Sequence, residues 1–286
     1  MNKLLKTDKD YVIAIDTDSI YLTMEDLVEK LAADKDTAGK IRYMDKVCEE
    51  IFEPFIDTTY QKLSEYMNAY NQKMIMKREV LADKGIWIAK KNYVLNVHNS
   101  EGVQYAKPKL KVMGLSMVRS STPSVIRDKL KDSINVILSG DKKDLHKYVD
   151  DFRKEFDKLP VQDIAFPRGM NGLKTYAGSP IYTKGTPIHV RGALLYNHYV
   201  KKLGLQKKYQ EIRDGDKIKF VYVRMPNPFQ EDVIAFPQTL PKEFGLDQFI
   251  DYDKQFEKTF VDGIQSVIDP LGWTAVEQSS LEEFFG

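Results

Sequence analysis

Two short apolar runs near the start of the chain flank a pair of carboxylates. Residues 11–15 (YVIAI) come before Asp16-Thr17-Asp18-Ser19, and residues 20–22 (IYL) follow. β-Branched and aromatic residues favour strands, whereas Asp and Ser favour turns. The pattern therefore predicts a β-hairpin with Asp16 and Asp18 at its tip. Such a tip could carry divalent-metal ligands into a cleft where magnesium meets phosphate oxygens. An ordinary Asp-rich surface turn is the alternative.

The composition excludes several classes of protein. Hydrophobic residues make up 42% of the 286 residues and charged residues 30%, as in soluble globular proteins. No stretch approaches the about 18 consecutive apolar residues of a membrane span, and residues 1–6 lack the apolar core of a secretory signal. Cys48 is the single cysteine, which excludes an intrachain disulfide and a cysteine metal cluster. We therefore expect a cytoplasmic protein that has no membrane partner.

Charge is distributed unevenly along the chain. Between Asp83 and Asp132 there are ten Lys or Arg residues and four acidic ones, although the net charge of the whole chain is only +1. An excess of this kind favours a polyanion on one face. Acidic residues gather instead between Met24 and Asp57. The alternative is a solvated surface with ordinary scatter of charge.

Periodicity predicts a mixed α+β fold. Helix is expected from Met24 to Met76, with a kink or break at Pro54. Alternating apolar residues then predict strands between Lys77 and Met117, with a turn at residues 98–102. Further elements are predicted in the second half: a helix start at residues 120–123, helices to Leu138 and over 142–159, a strand over 217–224 and a helix over 252–267.

Four motifs occur in a specific order: DTDSIY from Asp16, KKNY from Lys90, MGL from Met113 and RSSTP from Arg119. Together they resemble the C-terminal half of family B DNA polymerases, and most closely the replicative polymerases of T-even-type bacteriophages. The resemblance implies the C-terminal part of a palm domain at residues 1–115, a mostly helical thumb at 116–277 and a clamp-binding tail at 278–286. It also implies that the protein works in the host cell cytoplasm.

By this resemblance, Asp16 and Asp18 belong to polymerase motif C and are the catalytic residues. Asp18 would bind both magnesium ions of a two-metal site, and Asp16 would support the site electrostatically. Glu79 aligns with an acidic residue beside the same site, and a salt bridge to a neighbouring lysine is its alternative role. Ile15 stands where the family usually has glycine.

The family also implies contacts with primer-template DNA. Lys91 and Tyr93 match a K-x-Y element that reaches the primer strand, and we expect a strand to place both on one face. A helix start with a cation and small hydroxyl residues suits a duplex phosphate. The further candidates for DNA binding are Lys107, Lys109, Arg119, Ser120, Ser121 and Arg191. Arg191 lies in a basic thumb segment with Arg168, Lys174, Lys184 and His189, where ordinary surface charge, or a structural histidine, is the alternative.

The last residues carry a separate signal. Gln278, Leu281, Phe284 and Phe285 fit the pattern Q-x-x-L-x-x-F-F, which is similar to the peptide by which polymerases hold a sliding clamp. One helical turn would place the apolar side chains together as anchors for a pocket. Alternatively, the two phenylalanines fold back onto the thumb.

Several parts of a family B polymerase have no counterpart in this sequence. These are the proofreading exonuclease, the motif A aspartate and the fingers helix. We therefore expect one subunit of a split polymerase that is inactive alone, with an N-terminal subunit that completes the palm, binds dNTP and covers a large apolar interface. The competing hypotheses are a non-catalytic module that tethers DNA and a clamp, and a metal-dependent nuclease built on Asp16 and Asp18.

Overall fold

The predicted hairpin is present in the computed structural model, which describes residue 2, residues 6–115 and residues 119–276. Strands β1 (Val12–Asp16) and β2 (Ser19–Leu22) pair antiparallel, with Asp16 opposite Ser19. The base of the hairpin is fixed to the next helix, because the Tyr11 hydroxyl donates a 3.0 Å hydrogen bond to Asp26. The contact with the Lys9 ammonium lowers the pKa of Asp26 most, and the bond from Tyr11 lowers it further.

The region predicted as helix with a kink or break at Pro54 is divided into three helices. Helices α1 (Glu25–Ala32), α2 (Thr37–Val47) and α3 (Glu53–Tyr66) are described, and a single π-helical turn, Cys48–Phe52, joins α2 to α3. Within this turn the N–H of Glu53 donates to the carbonyl of Cys48, five residues back. Pro54 follows directly inside this continuous helical run, so the π turn lies next to the position where proline removes a backbone hydrogen bond. The predicted helix to Met76 is too long, because α3 ends at Tyr66.

A three-stranded antiparallel sheet comes next, formed by β3 (Val80–Ala89), β4 (Asn92–Ser100) and β5 (Val103–Met113) with β4 in the centre. The predicted turn over residues 98–102 is too long, because strand β4 continues to Ser100. The turn is only Glu101-Gly102, and both residues have positive φ, 50° and 85°. This is the backbone combination that a tight two-residue hairpin requires, and Gly102 adopts it without strain.

Two small apolar clusters lie among the described residues of the first part of the chain. Leu27, Met44 and Val47 pack together between α1 and α2. Tyr93, Leu95 and Val97 form the second cluster on the central strand β4. The second cluster holds the sheet against the hairpin.

The second part of the chain is mainly helical and encloses a three-stranded sheet. Its elements in order are α4 (Ser124–Ser139), α5 (Lys142–Phe156), α6 (Val161–Ile164), β6 (Phe166–Gly169), α7 (Leu173–Tyr176), α8 (Ile188–Lys202), β7 (Lys217–Tyr222), β8 (Val233–Phe236), α9 (Tyr252–Phe256) and α10 (Asp262–Ile268). Strand β7 lies between β6 and β8, antiparallel to both. The apolar run over residues 188–196 lies within helix α8. The predicted helix 252–267 is interrupted by a second π turn, Glu257–Val261.

An aromatic cluster fills the centre of this part. Phe152 and Phe156 of α5 meet Phe256 and Phe260, with ring centroids 4.8–5.9 Å apart. Edge-to-face contacts of this kind add stability beyond the area that they bury. Gly192 of α8 permits close packing on β8, because a Cβ there would lie 2.9 Å from the backbone nitrogen of Ala235.

The chain divides into two compact units, residues 1–113 and residues 114–286. The fold is α+β, as the periodicity predicts. Among the described residues, no helix combines the length and apolarity needed to cross a membrane.

Candidate functional site

The tip of the hairpin presents the two aspartates differently. Asp16 is the last residue of β1, and Thr17-Asp18 forms a two-residue turn. Thr17 has a φ of 54°, a conformation that β-branched residues rarely adopt. The Ser19 hydroxyl closes the turn by donating to the Asp16 carbonyl at 3.0 Å. Asp18 is exposed and, within the described residues, its carboxylate has no hydrogen-bond or ion-pair partner. It is therefore free to bind a ligand.

A pocket of about 210 Å³ lies between the hairpin and the turn that joins β3 to β4. Asp16 and Tyr21 line it from the hairpin, and Lys90, Lys91 and Tyr93 line it from the sheet. The Lys91 ammonium is 3.7 Å from the Asp16 carboxylate. Folding therefore brings together two motifs that are more than seventy residues apart in the sequence.

The position of Lys91 corrects one expectation. Lys91 does not share a strand with Tyr93, because it belongs to the two-residue turn Lys90-Lys91 and has a φ of 65°. Strand β4 begins at Asn92. Lys91 and Tyr93 meet in the pocket because the turn folds towards it, rather than through strand alternation.

Three aromatic rings connect the hairpin to the sheet. Tyr21 of β2 lies 5.3 Å from the ring of Tyr93 and 5.8 Å from that of Trp87. The Tyr21 hydroxyl donates to the Tyr93 hydroxyl at 3.1 Å. Tyr93 is only 7% exposed, so most of its ring belongs to the core. The sequence analysis gave Tyr21 no role in the site, although Tyr21 is the last residue of the DTDSIY motif.

The surroundings of Tyr93 keep its hydroxyl protonated. Burial raises its pKa most. The negative charges of Glu79 and Asp16 raise the pKa further, so both carboxylates lie close enough to act on the same hydroxyl. Tyr93 therefore remains a hydrogen-bond donor at neutral pH.

Glu79 is exposed and forms a 2.7 Å ion pair with Lys111 of β5. This is the alternative that the sequence left open for Glu79. A surface ion pair of this kind is weak, so it leaves the carboxylate available to other ligands.

A buried polar network lies directly beside Glu79, and the sequence pattern missed it. The Asn99 side chain accepts from Arg78 at 3.0 Å and from the Gly102 N–H at 3.1 Å, and it donates to Asp45 at 3.0 Å. Arg78 also forms an ion pair with Asp45 at 2.5 Å. The network joins α2 to the end of β4. It is invisible in sequence because its members are spread over more than fifty residues.

Magnesium would find suitable but insufficient ligands here. Carboxylate oxygens suit Mg²⁺, which prefers six oxygen ligands in octahedral geometry. Among the described residues, no group of three or more His, Cys, Asp or Glu side chains could hold a metal ion. Asp16 and Asp18 would therefore supply only part of the ligand set of a magnesium ion.

The predicted basic residues of β5 lie on an edge strand. Lys107 and Lys109 are both exposed, and the Lys109 ammonium lies 4.0 Å from the centre of the Tyr105 ring. Strand alternation places both lysines on the same face as Lys111. This face thus combines cations with an aromatic side chain.

The RSSTP segment is a compact turn before helix α4. Arg119 donates to the Gly114 carbonyl at 2.9 Å, and Gly114 has a φ of 72°. The helix starts at Ser124 with Pro123 as its N-cap, so Ser120 and Ser121 precede the helix rather than cap it. Pro123, as the N-cap residue, offers no side-chain hydrogen bond to the helix.

Arg191 of α8 is engaged within the protein. Its guanidinium forms an ion pair with Asp232 and lies 5.9 Å from the centre of the Tyr182 ring. His189, on the same helix, has a lowered pKa because burial and the nearby Arg168 charge disfavour its protonated form. Arg168, Lys174 and Lys184 are exposed.

The predicted clamp-binding tail contains Gln278, Leu281, Phe284 and Phe285. These four residues lie outside the described residues.

Comparison with known proteins places this site in a family. The sequence profile of the family described as Divergent Family B DNA polymerase matches residues 3–149, which include the hairpin, the pocket and the Asn99 network. The chain belongs to this family. As a divergent family B DNA polymerase sequence it also aligns over its whole length with two proteins named DNA-directed DNA polymerase. They come from Enterobacteria phage T4, at 34% identity, and Escherichia phage RB69, at 33% identity.

The chain spans about a third of the length of these relatives.

Proposed function

We propose that this chain is the C-terminal subunit of a split replicative DNA-directed DNA polymerase. It would supply the motif C aspartates, grip the primer-template duplex and bind a sliding clamp through its tail. Nucleotidyl transfer from dNTP would require an N-terminal subunit that carries motif A, the fingers and the exonuclease. The observation that carries the proposal is the pocket in which Asp16, Lys91 and Tyr93 meet.

Each pocket residue has a role that follows from its surroundings. Asp18, exposed and unpaired among the described residues, would be the main magnesium ligand, and Asp16 would support it. The bound ions would supply activation of the primer 3′-hydroxyl and neutralisation of the triphosphate. Lys91 carries a positive charge beside Asp16 that suits a primer phosphate. Tyr93 receives a hydrogen bond from Tyr21, so its own O–H is available to a DNA acceptor.

Grip on the duplex would extend beyond the pocket. Lys107 and Lys109 on β5, and Arg119, Ser120 and Ser121 before α4, are the candidates for phosphate contacts. Arg191 is the weakest candidate, because Asp232 already neutralises its charge. Such contacts fix the register of DNA without reading its sequence.

Primer extension tests the proposal. The probe for the missing part is a polypeptide that spans the two thirds of the phage T4 relative outside the match. We expect extension from the mixture and none from either polypeptide alone. Asp18→Asn should abolish extension because it removes a carboxylate ligand, whereas Asp34→Asn, at an exposed position in the loop between α1 and α2, should leave it unchanged.

Three results would change the interpretation. Extension by this chain alone would contradict the need for a second subunit. Extension that survives Asp18→Asn would contradict the assignment of the metal ligand. No extension from any mixture, with binding to a primer-template duplex retained, would favour the non-catalytic module that tethers DNA and a clamp.

The tail is tested separately. Removal of residues 278–286 should abolish binding to a purified phage sliding clamp and leave affinity for a primer-template duplex unchanged. Leu281→Ala should weaken clamp binding, because buried apolar anchors dominate such interfaces. Equal clamp binding by the full and shortened chains would contradict this role.

A further inference from the structure

Tyr21 faces the sheet from the strand that follows the hairpin tip. It lies on β2, three residues after Asp18. Exposure alternates along this strand, where Tyr21 is half-buried and its neighbours Ile20 and Leu22 are exposed. Strand alternation therefore directs Tyr21 inward and its neighbours outward. A contact made by Tyr21 thus restrains the strand that leads out of the carboxylate turn.

Ring contacts of Tyr21 hold this strand against the sheet. The ring packs on the apolar cluster of β4, and its centre lies 5.3 Å from that of Tyr93. Its plane meets the Trp87 indole at 70°, in an edge-to-face contact. Aromatic pairs of this geometry favour one relative placement of the rings. A two-stranded hairpin is at best marginally stable by itself, so its placement depends on contacts of this kind.

The ion pair across the same pocket is a weaker restraint. Lys91 lies 3.7 Å from Asp16, but the lysine side chain is 63% exposed. An exposed ion pair contributes little, because water screens the charges and a long side chain loses rotamer freedom when it is held. The aromatic contact of Tyr21, rather than this ion pair, therefore sets the spacing between the hairpin tip and β4.

The hydroxyls of Tyr21 and Tyr93 form an ordered pair. Tyr21 donates at 3.1 Å, so the Tyr93 oxygen accepts and its own proton points away from Tyr21. Burial and the nearby charges of Glu79 and Asp16 raise the pKa of Tyr93, so this proton stays in place at neutral pH. Within the part of the chain that the structure describes, the Tyr93 O–H has no acceptor of its own. It is left for an acceptor such as a phosphate oxygen of the primer.

We propose that Tyr21 is a positioning residue for nucleotidyl transfer. Its ring sets the spacing between the carboxylate tip and the KKNY turn, and its hydroxyl directs the Tyr93 O–H towards the primer strand. Tyr21 touches neither metal nor DNA in this role, because it acts through Tyr93. The inference rests on the proposed function, since it concerns the placement of the primer end beside the same carboxylates.

Single-turnover addition of one nucleotide tests the role of the hydroxyl. The assay uses this chain with the T4-derived polypeptide of the primer-extension test, at saturating dNTP, so that the rate constant reports the step after binding. Tyr21→Phe keeps the ring and removes the hydroxyl. The rate constant should fall about threefold to tenfold, as expected for the loss of one neutral hydrogen bond. The dissociation constant of the duplex should stay within about twofold, because phosphate contacts elsewhere hold the duplex.

A double-substitution cycle shows whether Tyr21 acts through Tyr93. Tyr93→Phe alone should lower the rate constant, and Tyr21→Phe in that background should lower it no further. Tyr43→Phe is the matched control, since Tyr43 is a half-buried tyrosine of α2 that packs on the other apolar cluster of the first unit. Its rate constant should equal that of the wild type.

Tyr21→Leu tests the role of the ring. Leucine keeps an apolar side chain but removes the aromatic contacts with Trp87 and Tyr93. The rate constant should fall at least about threefold below that of Tyr21→Phe. A rate constant equal to that of Tyr21→Phe, with an unchanged circular dichroism spectrum, would contradict the role of the ring in spacing. If the leucine variant does not fold, the phenylalanine variant and the cycle still decide the role of the hydroxyl.

The outcomes separate this role from the proposed function. Extension by the wild-type mixture with an unchanged rate constant for Tyr21→Phe would overturn the positioning role and leave the proposed function intact. Additive losses in the cycle would also overturn it, because the Tyr21 hydroxyl would then act without Tyr93. Weaker duplex binding at an unchanged rate constant would show that Tyr21 contributes to binding instead. No extension by the wild-type mixture would overturn the proposed function, and this role with it.

Discussion

Replacement of Asn99 by alanine should destabilise the first unit strongly. Asn99 is fully buried, and its amide joins Arg78, Asp45 and the Gly102 N–H. Alanine removes all three hydrogen bonds and leaves their partners in place. The largest loss is at Arg78, whose side chain is only 8% exposed and cannot regain the bond from water.

The expected loss follows from the exposure of each partner. An unsatisfied buried charged donor costs about 2–3 kcal/mol, which applies to Arg78. Asp45 is 22% exposed and Gly102 lies in an exposed turn, so water replaces part of those bonds at about 0.5–1 kcal/mol each. The free energy of unfolding should therefore fall by about 3–5 kcal/mol. With a denaturant slope of about 2 kcal/mol per molar urea, the midpoint falls by about 1.5–2.5 M.

Urea unfolding followed by Trp87 fluorescence measures this loss, in a Trp273→Phe background so that only the first unit reports. Asn96→Ala is the control, because Asn96 is on the same strand and donates to the carboxylate of Asp83 at 2.7 Å, in an exposed position. Asn96→Ala should lower the free energy of unfolding by less than about 1 kcal/mol. Equal urea midpoints for the two variants would refute the reasoning. The contribution of these hydrogen bonds to the free energy of unfolding would then not depend on their burial.

Three further predictions concern single groups. Burial raises the pKa of Cys48 to about 11, so native protein should resist a thiol reagent at pH 8 and react after unfolding in urea. Lys208, with help from Tyr209, lowers the pKa of Glu243 to about 2. The second unit should therefore lose stability as pH falls from about 4.5 to 2, less so in Glu243→Gln, as urea midpoints would show. Glu79→Gln should lower the pKa of Tyr93 in an ultraviolet pH titration, because a negative charge that favours the neutral phenol is removed; no change would contradict that influence.

Local patterns predicted the elements that carry the site. The hairpin at residues 11–22 follows from apolar runs around a turn, and the structure confirms it. The α+β class is likewise confirmed. The helix boundaries were less predictable, because the pattern from Met24 to Met76 continues through Tyr66, where the helix ends. The spacing of apolar residues shows which side chains can be buried. It does not show at which residue the helical backbone hydrogen bonds end.

The roles assigned to individual residues stay predictions. The structure adds intramolecular partners for two of these residues and a different backbone position for a third. Glu79 pairs with Lys111, and Arg191 pairs with Asp232. Lys91 reaches the pocket from a turn instead of a strand. In each case the partner is distant in sequence, so no local pattern could have shown whether the charge was already neutralised.

Sequence by itself determined the family, the hairpin and the order of the motifs, since these depend on residue identity and short-range spacing. Only the tertiary structure decided that motif C and the KKNY turn share one pocket, that Tyr21 donates to Tyr93, and that Asn99 joins α2 to β4. These features depend on which surfaces meet when the chain folds, and that is a property of long-range packing rather than of any local run of residues.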